Sequence, residues 1–556
     1  MEKIWLKSYS AGVPAEIDIT AIGSIGDDFE AAVARYGDRR AFVSGATGVA
    51  LTYRQLDQQS RQLAAYFQGV LQLPQGARVA LMMPNLLQFP VCLFGLLRAG
   101  YVVVNVNPMY TPRELEHQLN DSDAEAMIVV EVFAHTLAKV IASTPVRHVV
   151  VTGLADMMPG AKRLIGNFLD RRIKKAVPAY SLPGSVGLRD ALARGAQLAF
   201  MPPRIAPDDL AFLQYTGGTT GVSKGAMLSH RNILANVKQG TVWSEPFLDQ
   251  TEELISITAI PLYHIFALGS CLSFIGMGGT NVLVADPRNI PAFVKVLSRY
   301  RFVGLPAVNT LFNSLLNDPG FAKIDFSKLR FAIGGGAAVQ RPVAERWQQV
   351  TGAPLVEGYG LTECSPTVTV NPLDMRSFSG SIGLPVPSTE VSIRDEHGHE
   401  LPLGQAGELC VRGPQVMQGY WQRPEETAAV MTADGYLRTG DVAVMDERGF
   451  IKLVDRLKDL ILVSGFNVYP NEIEEVVMMH PDVLEAAAVG VISPSSGEAV
   501  KLFVVKKAQT LTEQMLIEHC RAHLTAYKVP RQVAFLDELP KSNVGKILRR
   551  QLRERA

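Results

Sequence analysis

Residues 78–107 read RVALMMPNLLQFPVCLFGLLRAGYVVVNVN. Two β-branched, apolar runs, RVALMMP and YVVVNVN, enclose a segment of helical length, which is the spacing of a strand, a crossover helix and a parallel strand. Its apolar stretch at 79–97 is interrupted by Pro84, Asn85 and Pro90, so it reads as buried core rather than a membrane span. The runs AMIVVE (126–131) and HVVVTG (148–153) continue the alternation. Between YVVVNVN and AMIVVE, Thr111-Pro112-Arg113-Glu114 forms a capping box with proline at the first helical position and opens the helix ELEHQL. The expectation is an α/β chain with helix-covered, doubly wound sheets.

A second long run, 254–285, contains no Asp, Glu, Lys or Arg. Pro261, Gly269, Gly276, Gly278 and Gly279 punctuate it, and ISITAI and TNVLVA predict buried parallel strands around a short helix. After about residue 380 the chain becomes rich in Gly and Pro with short alternating runs, predicting a small β subdomain. The tail predicts an α+β unit, with helices at 471–480 (NEIEEVVMMH) and within LTEQMLIEHCRAHL and strands at EAAAVGVI and VKLFVVKK.

The 556 residues make three or four domain-sized units. Lys plus Arg (54) balance Asp plus Glu (54), so the whole chain is not built to bind nucleic acid electrostatically. At 47% hydrophobic and 19% charged, a large core is available. Five scattered cysteines without C-x-x-C spacing indicate neither a disulfide framework nor a zinc site. The first residues lack an apolar signal region, and a cytoplasmic location is expected.

Residues 215–230, YTGGTTGVSKGAMLSH, carry the chemistry most plainly. From Thr216 to Lys224 there are three glycines, three threonines, a serine and a lysine, supplying the N–H groups, hydroxyls and positive charge that a polyphosphate requires. Lys224 lies between Ser223 and Gly225, so this is not a Walker A loop, which ends Gly-Lys-Ser/Thr.

The loop resembles the signature of the adenylate-forming enzymes, which include acyl-CoA synthetases, luciferases and peptide-synthetase adenylation domains. Further motifs of that family follow in order: PLYHIFAL (261–268), GGGAAV (334–339), EGYGLTECSP (357–366), GELCVRGP (407–414), YLRTGD (436–441), VDRLKDLILVSGFNVYPNEIE (454–474), YKVP (527–530) and PKSNVGKILRR (540–550). Within the family the sequence is most similar to bacterial long-chain fatty acid–CoA ligases. The resemblance implies a large AMP-binding domain over 1–454, made of two doubly wound sheets plus a β subdomain at about 380–454. A hinge at 455–460 and a small mobile α+β domain at 461–556 complete it.

It also implies the reaction. ATP converts a carboxylate to an acyl adenylate with release of pyrophosphate, and coenzyme A then displaces AMP. Negative charge concentrates at the α-phosphorus, so cations and oriented donors must dominate catalysis. By resemblance, Lys546 bridges carboxylate and α-phosphate, Lys224 belongs to the phosphate-directed charges, and His264 orients the carboxylate and gates thiol entry. Glu363, with Thr362, matches the Mg²⁺ ligand. Thr216, Gly217, Gly218, Thr219, Thr220 and Gly221 match the phosphate loop. Gly334, Gly335 and Gly336 admit the purine; Tyr359, flanked by Glu357, Gly358 and Gly360, stacks on adenine; Asp441 accepts the ribose hydroxyls; Arg456 contacts ribose or phosphate. Lys458 is the pivot of a domain rotation between half-reactions, and Gly465 leaves room for pantetheine.

The absence of an acid near PLYH argues against an amino-acid substrate and for an uncharged acyl chain, with the apolar helix NTLFNSLL (309–316) as a tunnel wall. A medium-chain or aryl acid ligase, or a non-catalytic nucleotide-binding relative, is the alternative. Residues 162–175, KRLIGNFLDRRIKK, hold six basic residues and one acid around Leu, Ile and Phe, suiting peripheral contact with the inner membrane surface. Self-association as a homodimer is left open.

Overall fold

The computed structural model describes residues 2–216, 223–456, 459–463, 466–493, 496–542 and 545–555. The runs that open the sequence form a seven-stranded sheet in the order Val186–Gly187, His148–Thr152, Ala126–Val130, Arg78–Met82, Val102–Asn105, Leu210–Thr216, Lys224–Ser229. Every neighbouring pair is parallel except the last. The order of strand addition reverses around Arg78–Met82: the next strand lies on one side and the following three on the other, which is the doubly wound pattern. The capping box is present, with Thr111 and Glu114 bonding each other's backbone N–H and Pro112 at the start of Pro112–Asp121.

A nine-stranded sheet lies beside it, with six parallel strands at its centre: Leu355–Gly360, Phe331–Gly334, Gly304–Ala307, Ile255–Thr258, Thr280–Leu283 and Arg40–Ser44. The uncharged 254–285 run is here. Ile255–Thr258 and Thr280–Leu283 pair in parallel around the helix Ile265–Gly276, and all eight of their residues are buried. Burial on both faces explains their continuous apolar pattern.

Glu390–Arg394, Gly407–Arg412, Leu437–Met445 and Ile451–Arg456 make a four-stranded antiparallel sheet. Not all of the segment after residue 380 belongs to it, because Leu384–Pro385 pairs with Thr367–Val370 at the edge of the nine-stranded sheet. The tail forms a mixed sheet around the Val483–Ser493/Gly497–Lys506 hairpin, flanked by Pro470–Met478 and Glu513–His523, with its own core. All five cysteines are free and buried. Among the described residues no helix is long and apolar enough to cross a membrane.

Candidate active site

A cavity of about 1780 Å³ opens where both large sheets and the C-terminal unit meet. It lies off the carboxyl ends of the parallel strands, where open α/β sheets bind ligands at the reversal of strand order. Asn105 and Gln214 to Thr216 reach it from one sheet; His264, Val308, Gly335 and Glu357 to Gly360 reach it from the other.

The segment carrying His264 is held by buried amides. Asn85 Nδ2 donates to the carbonyls of Thr258 (3.0 Å), Ile260 (3.0 Å) and Val284 (3.2 Å), while its Oδ1 accepts from Leu262 N–H (2.7 Å). Gln214 Nε2 donates to Tyr263 O (2.8 Å), and Asn105 Nδ2 donates to Gln214 Oε1 (3.0 Å). His264 then caps Ile265–Gly276, its Nδ1 accepting from Phe266 N–H (3.3 Å). That bond fixes the neutral tautomer with the proton on Nε2. Burial, then the positive charge of Lys546, lowers the His264 pKa to about 4.

Lys546 therefore lies within electrostatic reach of His264, although the two are far apart in sequence. It follows Gly545 in a turn tied by Ser542, whose hydroxyl accepts from Lys546 N–H (3.1 Å). Gly545 has φ of +79°, and a Cβ there would stand 2.7 Å from Thr310 Oγ1 and 3.1 Å from Val308 Cγ2. Only glycine combines that left-handed backbone with so close an approach to the large domain.

On the nucleotide side, Tyr359 and Asp441 are bonded to each other, Tyr359 OH donating to Asp441 Oδ2 at 2.6 Å. Burial, then the Asp441 carboxylate, raises the Tyr359 pKa well above its usual value, so the phenol stays a donor. Asp441 lies opposite Arg456 in the antiparallel pair, and the Arg456 side chain lies outside what is described. Burial pushes the Glu357 carboxyl up to about 8, with Glu475 adding to it, so it is protonated at neutral pH. Glu363 Oε1 accepts from Tyr420 OH at 2.7 Å, and Lys224 pairs with Glu426 while its Nζ sits 4.9 Å from the Tyr420 ring centroid.

Thr216, Lys224, His264, Gly335, Gly336, Glu357, Gly358, Tyr359, Gly360, Thr362, Glu363, Asp441 and Lys546 all line the one cavity. Gly334 does not. It ends the strand Phe331–Gly334, and a Cβ there would stand 2.2 Å from Val339 Cγ2, so its smallness serves packing. Gly217, Gly218, Thr219, Thr220, Gly221, Lys458 and Gly465 lie outside the described residues. The expected tunnel wall at Asn309–Leu316 is also corrected: Phe312, Leu315 and Leu316 pack in the core, and only Asn309, Thr310 and Asn313 face the cavity.

The AMP-binding enzyme family model matches residues 29–421, and the AMP-binding enzyme C-terminal domain matches residues 472–546. This chain belongs to the AMP-binding enzyme family. Among relatives of this family, the long-chain-fatty-acid–CoA ligase of Escherichia coli O6:H1 is 58% identical over 557 residues, covering 100% of this chain and 99% of the relative. That of Haemophilus influenzae is 52% identical over 556 residues, covering 100% and 98%. The crystal structure of ATP-bound MatB from Rhodopseudomonas palustris matches with a TM-score of 0.81 and 29% identity, covering 95% of this chain and 98% of that one.

The sequence did not announce Asn85, Gln214, Tyr420 or Arg549. Arg549 reads as part of a solvated basic tail, yet it is nearly enclosed, bonding Glu474 (2.8 Å) and Asn471 (2.6 Å) with Asp459 at 3.5 Å. The available signals were faint: a polar Asn just after an apolar strand, and an arginine three residues beyond Lys546.

Proposed function

We propose that this AMP-binding enzyme is an acid–thiol ligase that activates a long-chain fatty acid with ATP and transfers the acyl group to coenzyme A, releasing AMP and pyrophosphate. The observation that carries the reading is the common cavity in which Lys546 and neutral His264 meet the Tyr359–Asp441 pair and then an uncharged chamber. Lys546 attracts the substrate carboxylate and the α-phosphate together, offsetting the repulsion of two anions. His264 Nε2–H donates to a carboxylate oxygen without ionising. Asp441 exchanges its Tyr359 bond for ribose hydroxyls, which frees the Tyr359 ring to lie against adenine.

Glu363 and Thr362 suit a magnesium ion. Glu363 is fixed by Tyr420, and the described residues contain no group of three or more His, Cys, Asp or Glu that would cage a metal, as fits a cation held by one carboxylate and substrate phosphates. When bound, the ion would neutralise phosphate charge. Residues 1–454 form the body, 455–460 the hinge and 461–556 the moving unit, with Lys458 as pivot and Gly465 admitting pantetheine after rotation.

The acyl chamber runs between two helices. Asn236, Gly240 and Ser244 line it at helical spacing from His230–Ser244, and Gly269, Ser273 and Met277 from the other side. The 12-residue helix Ile265–Gly276 gives about 18 Å of depth at ~1.5 Å per residue. With ~1.5 Å carbon–carbon bonds in a zigzag that advances about 1.25 Å per carbon, that depth holds on the order of 14 methylenes. Membrane-partitioned acids would reach this site through peripheral contact with a bilayer. AMP release with CoA across acids from acetate to oleate, plus benzoate and coumarate, tests the reading. The maximum is expected on long-chain acids, and a maximum on an aromatic acid overturns it.

A further inference from the structure

The helix Ala161–Phe168 and the turn Leu169–Ile173 that continues it turn their apolar side away from the body. Toward the body, Asn167 Oδ1 accepts from Ala155 N–H (3.0 Å) and its Nδ2 donates to Asp156 Oδ1 (2.8 Å). A Cβ on Gly166 would stand 2.6 Å from Ala155 Cβ, so the backbone lies directly against its neighbour. Asp170 is buried, and Arg171 pairs with the fully buried Glu131. Outward, Leu164, Ile165, Phe168 and Ile173 are 65%, 57%, 58% and 65% exposed, and no residue of Ala161–Phe168 is buried.

A surface helix ordinarily buries its apolar stripe and shows water its polar one. Here the order is reversed, and a contiguous exposed apolar patch marks an interaction surface. Lys162, Arg172 and Lys175 stand exposed beside it. We infer that residues 161–175 dock the enzyme on an anionic bilayer, with the apolar side chains at the headgroup boundary and the basic residues on lipid phosphates. Charge decides the occupant: a second copy would bring like charges together, whereas anionic lipid complements them. The surface rests on the long-chain reading above, since it holds the enzyme on the phase in which that substrate dissolves.

Flotation of the full chain with phosphatidylglycerol/phosphatidylethanolamine vesicles tests this, with phosphatidylcholine vesicles as control. Wild type is expected to float with the anionic vesicles and to release at high salt. K162Q/R172Q/K175Q should lose about a hundredfold in partitioning. L164S/I165S/F168S should not float, and both variants should keep wild-type turnover of octanoate in vesicle-free buffer. Phe168→Trp should show a blue-shifted emission on anionic vesicles only. Wild type that stays unbound overturns any membrane contact, and triple variants that float like wild type overturn this surface alone. A dimer in sedimentation velocity that the serine variant dissolves would assign the face to a second copy and overturn the lipid assignment. Vesicle binding without ligase activity upholds the surface and fails the ligase reading instead.

Discussion

Burial, with the Lys546 charge behind it, lowers the His264 pKa to about 4 from 6.5, while burial lifts Glu357 to about 8 from 4.5. The two act oppositely on stability. The His264 contribution is present above its unfolded value and is lost as pH falls through about 4; the Glu357 contribution is present below its unfolded value and is lost as pH rises through about 8. Glu357→Gln, which imitates the protonated acid, should match the wild-type melting temperature below the unfolded value of 4.5 and exceed it increasingly as pH rises to about 8. A variant that melts no higher than wild type at pH 7 would show that Glu357 is already ionised in the folded state there. Asn85 is the other residue whose role exceeds its size. Asn85→Ala strips donors from three buried carbonyls and an acceptor from Leu262 N–H, and should cost about 3 kcal/mol of stability. Turnover should fall with little change in the KM for ATP, because the loosened group is His264; an equal rise in that KM would place the damage at the nucleotide.

At the scale of elements, the pair His230–Ser244 and Ile265–Gly276 lines the part of the cavity that we propose as the acyl chamber. A Cβ on Gly240 would meet only Ser273 Oγ, at 3.5 Å, so larger side chains there project into the chamber. Gly240→Leu should move the preferred acid toward shorter chains while leaving octanoate turnover within about twofold, read as kcat/KM across chain lengths. Parallel strands were legible in the sequence because burial on both faces leaves continuous β-branched runs, and Thr111-Pro112-Arg113-Glu114 announced its helix through local chemistry alone. Asp441 and Lys546 were legible because their motifs are contiguous. Tyr420 against Glu363, Lys224 against Glu426 and Arg549 among Asp455, Asp459 and Glu474 were not, because each partner comes from a distant element and only tertiary packing joins them. Residues 162–175 were legible as a basic, amphipathic segment, but which face of Ala161–Phe168 meets the body was not, because that depends on Ala155 and Asp156.

At the scale of the whole molecule, the C-terminal unit meets the large domain where Gly545 lies against Val308 and Thr310, while Arg549 ties the unit to Asp455 and Asp459 of the hinge we assign at 455–460. Lys546 and His264 therefore share a site only while the unit is seated as seen here, which suits adenylation, where carboxylate and α-phosphate must be drawn together. Thioester formation from a finished adenylate needs no such bridge. The most direct measurement is Lys546→Ala assayed on each half-reaction separately. ATP–pyrophosphate exchange should fall by more than about a hundredfold, while thioester formation from supplied acyl adenylate and coenzyme A should stay near wild type; equal loss in both assays would contradict the division of labour.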